Sequence, residues 1–271
     1  ARSPWVVRAM ELLFIGTATT LLKFGPFTLL TDPNFLHKGQ RAYLGRGMWS
    51  KRLTEPACQP ADLPQLDAVV LSHLHGDHFD RVARRDLDRE VPVITTAHAA
   101  RHLDKWGFAT AALDTWQKHT LATDGHTLSV IAVPAVHARG LLGRILPPVM
   151  GSVITHTDPN GQRFSTYISG DTLTGDHVDA IHERFPDLDA AVVHLGGTRI
   201  LLHTVTMDDV QGVDLLRRLE PPDAIAVHHD DYRVFRSPVQ RFLARAAHQV
   251  PQVRVHVPKR GERVSLVSSQ P

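Results

Sequence analysis

The stretch Ser72-His73-Leu74-His75-Gly76-Asp77-His78-Phe79-Asp80 constrains this chain more than any other. It follows an apolar run, Leu66 to Leu71, with the character of a buried strand. It precedes a charged segment, Asp80 to Glu90, that reads as a helix. Three histidines and an aspartate on a strand-to-helix turn occupy a usual place for a reactive site in an α/β protein. On an extended backbone His73 and His75 point to the same side. Gly76 permits a sharp turn, so Asp77 and His78 can aim at a second centre close to the first. Imidazole nitrogen and carboxylate oxygen suit zinc and its first-row neighbours. A surface loop merely rich in histidine would not need this spacing.

Length and composition leave room for such a site and exclude several alternatives. A chain of 271 residues is ample for a real core. A net charge of +2, with no Lys/Arg block, gives no footprint for nucleic acid. The one cysteine, Cys58, precludes an intrachain disulfide and any cysteine-based zinc cluster. No run approaches the ~20 apolar residues of a membrane span, so no transmembrane segment is expected and a cytoplasmic location is the default. The chain opens on Ala rather than Met, which leaves upstream trimming open, and oligomeric state is not legible.

Along the chain, Glu11 to Ile15, Thr19 to Phe24 and Phe27 to Thr31 read as a meander of strands that Asp32-Pro33-Asn34 ends. Residues 35–64 form a long irregular stretch with Tyr43, Met48 and Trp49, either a functional loop or a cover for a sheet edge. Val91 to Thr95 reads as a strand, Ala97 to Trp106 as a helix and Leu128 to Val133 as a strand, with His137 just beyond. Arg139 to Gly151 is too broken for a helix and too apolar for an idle loop, which suggests a pocket wall or lid or, equally, simple packing. A hairpin of Val153 to His156 and Phe164 to Ile168 follows, then Ser169-Gly170-Asp171-Thr172. Helices are expected over Asp176 to Phe185, Thr206 to Leu219 and Ser237 to His248. Strands are expected over Ala190 to His194, Ala224 to Val227, Val253 to Val257 and Val264 to Val267. Each half begins with a meander, and nothing resembles a linker, so a single domain over 1–271 is expected. The pattern alone gives α/β or α+β.

The H-x-H-x-D-H pattern resembles that of the metallo-β-lactamase-fold hydrolases. In that family a lone histidine, an aspartate and a final histidine follow, each just past a strand. His137, Asp171 and His228 stand in that order here. The resemblance implies an αββα sandwich of two mixed sheets flanked by helices. It also implies two divalent metal ions, zinc first, with manganese or iron accommodated by the same ligands. His73, His75 and His137 would hold one ion, Asp77, His78 and His228 the other, and Asp171 would bridge them. Hydroxide shared by the ions would then attack an ester-type bond, with Asp77 orienting it.

Other residues are expected in supporting parts. His194 ends a strand and is a candidate pocket or outer-shell residue. Tyr232 and Asp231 are candidates for assisting substrate or leaving group, and Asp67 for buttressing a ligand histidine. His98, His102, His119 and His126 lack metal-ligand spacing and read as surface positions. The run Ala226 to Phe235, with Gly170-Asp171-Thr172, resembles two branches of the family, sugar-acid lactonases and phosphodiesterases of N-acylated phospholipids. A small or lipid-like ester substrate is therefore expected, while a nuclease or a non-catalytic metal-binding regulator are the alternatives.

Overall fold

The computed structural model describes residues 9–45, 47–138, 140, 146–200 and 203–267. The first half supplies strands β1 (Met10–Gly16), β2 (Thr19–Phe24), β3 (Phe27–Thr31), β4 (Arg41–Tyr43), β5 (Trp49–Lys51), β6 (Ala68–Val70), β7 (Val93–Thr96) and β8 (Thr110–Leu113). Helices α1 (Arg81–Asp86) and α2 (Ala97–Lys105) lie among them. The second half supplies β9 (Lys118–Thr123), β10 (His126–Pro134), β11 (Met150–Thr157), β12 (Arg163–Ile168), β13 (Ala190–His194), β14 (Arg199–Ile200), β15 (His203–Thr204), β16 (Asp223–Val227), β17 (Arg254–His256) and β18 (Arg263–Leu266). Its helices are α3 (Asp176–Arg184), α4 (Asp209–Leu219) and α5 (Val239–Gln249).

Two large mixed sheets result, ordered β18-β1-β2-β3-β6-β7-β8 and β17-β16-β13-β12-β11-β10-β9. In each, an antiparallel meander continues into parallel strands: β3 pairs with β6, and β12 with β13. The halves thus repeat one theme.

Side-chain alternation decides the layering. Leu128, Val130, Phe164, Ile168 and Val192 face Leu12, Phe14, Leu22, Leu29 and Val70 between the sheets. Their neighbours Tyr167, Ala191 and Val193 point outward to Val178, Leu216 and Phe242 on α3, α4 and α5. Strands covered on both faces read as nearly continuous apolar runs, which is why β13 and β16 stand out in the sequence. On the far side Val69, Leu71 and Val93 meet Val82 of α1 and Leu103 of α2. The order is helices, sheet, sheet, helices, as the resemblance implied.

Several details differ from the sequence reading, among them β14–β15, which carries no signal there, and β11, which begins at Met150 inside the segment read as broken. The helix expected over Asp80 to Glu90 stops at Asp86, because Leu87 turns extended (ψ 145°). Asp80 caps it, accepting from the backbone N–H of Val82 and Ala83, a cap worth about 1 kcal/mol. Edge strands β8 and β9 lacked a signal, since edges leave one face in water and their sequences are polar or small. Residues 35–64 hold the β4–β5 hairpin rather than an irregular loop, with Phe35, Leu36, Ala42 and Leu44 buried against the α1 layer. Of the expected wall over 139–151, Arg139 and residues 141–145 lie outside the described residues. Leu146 beyond them packs on Ala138 and Val205.

Candidate metal centre

The carboxyl ends of β3, β6, β10, β12, β13 and β16 open on one rim, the usual site location in sheets of this kind. Just past β6, His73 Nε2 and His75 Nδ1 approach within 2.9 Å. His137, past β10, joins them, and the three can offer their nitrogens to a single ion. Asp77, His78, Asp171 and His228 form a second such group beside the first. Asp171 lies between the groups: its Oδ2 is 3.2 Å from His78 Nε2 and 4.0 Å from His73 Nε2, and its Oδ1 is 3.7 Å from His228 Nε2. The structure therefore brings together all seven side chains that the sequence singled out.

Local backbone sets these positions. Gly76 is needed for close approach rather than for a left-handed turn: a Cβ there would lie 2.6 Å from the Tyr43 carbonyl oxygen. Gly76 N–H donates to that carbonyl at 2.9 Å, fastening the β4–β5 hairpin to the histidine turn. His228 takes φ +61°, uncommon for a residue with a side chain and concentrated at functional sites. That conformation turns its Nε2 to within 3.5 Å of Asp77 Oδ2. His229 joins neither group, and both of its ring nitrogens are buried without a hydrogen-bond partner.

The donor set fits divalent cations. Four of the histidines are held through one nitrogen, leaving the other to face the site. His137 Nδ1–H donates to the Val205 carbonyl at 3.0 Å and His228 Nδ1–H to the Leu195 carbonyl at 2.9 Å. His78 Nδ1–H donates to Asp32 Oδ2 at 3.0 Å. His73 Nδ1–H donates to Ser72 Oγ at 3.0 Å, and that hydroxyl donates on to Asp32 Oδ2 at 2.9 Å. Such fixing of the remote nitrogen is usual for metal-binding histidines. Nε2 of His78 and of His228, with Oδ1 of Asp77 and of Asp171, are buried without a hydrogen-bond partner.

Charge tells the same story. Burial, then the neighbouring His78, drives His73 well below its ordinary pKa, and burial takes His75 down to about 4. Both rings are thus neutral and carry free lone pairs near neutral pH. At His78 burial opposes charge, but Asp171, Asp32 and Asp77 outweigh it and push the pKa well up. Carboxylates this dense call for positive charge, which a divalent ion supplies while displacing the imidazole proton.

Several expected supporting residues stand elsewhere. Asp67 lies at the start of β6, away from the site, and accepts from Thr28 N–H at 2.7 Å. The carboxylate that buttresses the candidate ligand histidines is instead Asp32, which in the sequence reads only as a strand end. Its available signal was the repeat between the halves: Asp32 follows β3 much as Asp171 follows β12. Tyr232 is buried, and its hydroxyl donates to Asn34 Oδ1 at 3.0 Å. Asp231 is buried too, accepting from Thr17 N–H, Thr54 and Arg260 and pairing with Arg52. His194 lies beneath the site, its Nε2 3.4 Å from Asp32 Oδ2 and its Nδ1 3.1 Å from Ser169 Oγ. His98 and His102 lie together on α2, while His126 pairs with His156 across a 3.0 Å contact.

Above the two groups lies a cavity of about 230 Å³. His75, Asp77, His137 and Asp171 form its polar floor, and Leu44, Met48, Trp49, Val205 and Val234 its apolar walls. Trp49 stands 59% exposed at the mouth, its ring centroid 5.0 Å from that of Tyr43. Neither His194 nor Tyr232 lines this cavity.

Comparison with known proteins agrees with this architecture. Residues 28–229 match the family model described as a beta-lactamase superfamily domain. An uncharacterized protein of Mycobacterium tuberculosis is 28% identical over 268 residues, covering 93% of this chain and 67% of the relative. An N-acyl-phosphatidylethanolamine-hydrolyzing phospholipase D of Caenorhabditis elegans is 25% identical over 234 residues, covering 81% of this chain and 63% of that protein. Among solved structures, an isothiocyanate hydrolase from Delia radicum gut bacteria superposes with a TM-score of 0.80 at 21% identity. That match covers 95% of this chain and 100% of the other.

Proposed function

The chain belongs to the beta-lactamase superfamily, and on that premise we propose that it is a dinuclear metal-dependent hydrolase of an ester-type bond in a small or amphiphilic substrate. The observation that carries this reading is the pair of candidate ligand groups at the floor of one cavity, with Asp171 of the second group reaching to 4.0 Å from His73 of the first. His73, His75 and His137 would hold one ion, and Asp77, His78 and His228 the other, with Asp171 between. Zinc suits the set best, and manganese or iron share the preference for these donors. When bound, two such ions supply Lewis acidity and make water a nucleophile at neutral pH.

The chain's own residues do the rest. Asp77 lines the cavity with Oδ1 free of hydrogen bonds, so it can accept a hydrogen bond from the attacking water and orient it. Leu44, Met48, Trp49 and Val234 exclude water and grip an apolar substituent. Asp32 and Ser72 keep His73 and His78 oriented throughout.

Similarity to a phospholipase D of N-acylated phosphatidylethanolamine supports phosphodiesters as the first class to assay, with lactones second. The test is a panel of phosphodiesters, lactones, β-lactams and isothiocyanates offered to the metal-loaded protein and to Asp77→Asn. Turnover of one ester-type class, reduced at least a hundredfold in a folded Asp77→Asn, is the expected result. Parental rates in that variant would refute the role of Asp77, and turnover confined to another bond class would refute the ester assignment.

A further inference from the structure

A second depression, of about 520 Å³, is lined by Gly197, Arg199, Asp209, Arg236, Ser237 and Arg241. It adjoins the catalytic cavity, because Arg199 lines both. Its polar chemistry is one-sided. Among the described residues, none of the guanidinium groups of Arg199, Arg236 and Arg241 has an ion-pair or hydrogen-bond partner. The one carboxylate present, Asp209, is already matched: Oδ2 accepts from Arg245 Nε at 3.0 Å and Oδ1 from Ser237 Oγ at 3.3 Å. Three like charges are left facing one hollow.

The scaffold under these arginines is fixed. Arg236 N–H and Ser237 N–H both donate to the Gly196 carbonyl, at 2.7 and 3.0 Å. Gly197 takes φ +58°, and a Cβ there would lie 2.7 Å from Ser237 Cβ, so only glycine permits this approach of the two loops. Next to Arg199 in the chain, Thr198 lines the catalytic cavity with a buried hydroxyl that has no hydrogen-bond partner. Unpaired arginines beside a buried hydroxyl without a partner suit an acceptor-rich ligand.

We propose that Arg199, Arg236 and Arg241 form an anion subsite that holds a carboxylate, sulfonate or phosphate carried by the substrate at a distance from the bond cleaved. This rests on the hydrolase reading above and narrows its substrate class to esters bearing a remote negative charge. Guanidinium groups suit these oxyanions through paired N–H donors. Because the arginines are exposed, their effect weakens with salt.

The test uses the metal-loaded protein and an Arg236→Gln/Arg241→Gln double variant, which spares the residue shared with the catalytic cavity. Substrates are 4-nitrophenyl hemiesters of dicarboxylic acids of increasing length, each matched to the neutral ester of the same length. At a preferred length the anionic-to-neutral ratio of kcat/KM should fall about tenfold in the variant, through KM rather than kcat, and high salt should erase the difference. Equal ratios in both proteins at every length would overturn the subsite. If none of these esters is cleaved, the phosphodiester and lactone assays above decide the hydrolase reading, and calorimetric titration with suberate and with inorganic phosphate decides the subsite alone. Binding about tenfold weaker in the variant would sustain it, and equal binding would overturn it.

Discussion

Asp32 Oδ2 lies 3.0 Å from His78 Nδ1 and accepts its proton, although 46 residues separate the two in the chain. The same oxygen accepts from Ser72 Oγ, which in turn accepts a hydrogen bond from His73 Nδ1–H. One buried carboxylate therefore orients a histidine in each ligand group.

Asp32→Asn should weaken metal binding about 10–100-fold while leaving the fold intact. Asparagine keeps the size and tolerates the left-handed backbone at this position (φ +36°). It cannot supply the negative charge or accept from every donor. Chelator competition gives the affinity directly, and a value equal to the parent's would contradict the orienting role.

His228→Ala should lose the second metal and most activity, whereas His229→Ala should keep two metals with altered substrate preference. Neighbouring side chains on an extended strand face opposite ways. In the structure the φ of +61° at His228 does the aiming. Elemental analysis of both variants checks this, and loss of metal from His229→Ala alone would reverse it.

The site was legible where chemistry is local. His73, His75, Asp77 and His78 fall within six residues, and His137, Asp171 and His228 follow strands whose apolar runs are unmistakable. Asp32 was not, because an aspartate before Pro33 also reads as an ordinary strand end. Nor was the burial of Tyr232 and Asp231. Both follow a ligand in sequence, but their partners Asn34, Arg52 and Arg260 come from distant segments. Edge strands β8 and β9 escaped for a different reason, since half-exposed strands carry little apolar pattern.

Asp231 ties these segments together and predicts a pH dependence. Burial opposes its charge, but Arg260, Arg52 and Thr54 outweigh burial and lower its pKa from 3.8 to about 2. A depressed pKa stabilises the fold above the unfolded value and loses that contribution as pH falls towards the folded one. Asp231→Asn should therefore cost about 2 kcal/mol near neutrality, with the difference from the parent shrinking below about pH 4. Urea unfolding of both proteins across pH 6 to 3 measures it. A difference independent of pH would contradict the ionised state of Asp231.

The most direct measurement is the metal content of the purified, reconstituted protein, by elemental analysis alongside protein concentration. Seven candidate ligands in two adjacent groups predict close to two transition-metal ions per chain, falling to about one when His228 is replaced by alanine. A chain that retains no tightly bound transition metal after reconstitution would contradict the dinuclear centre.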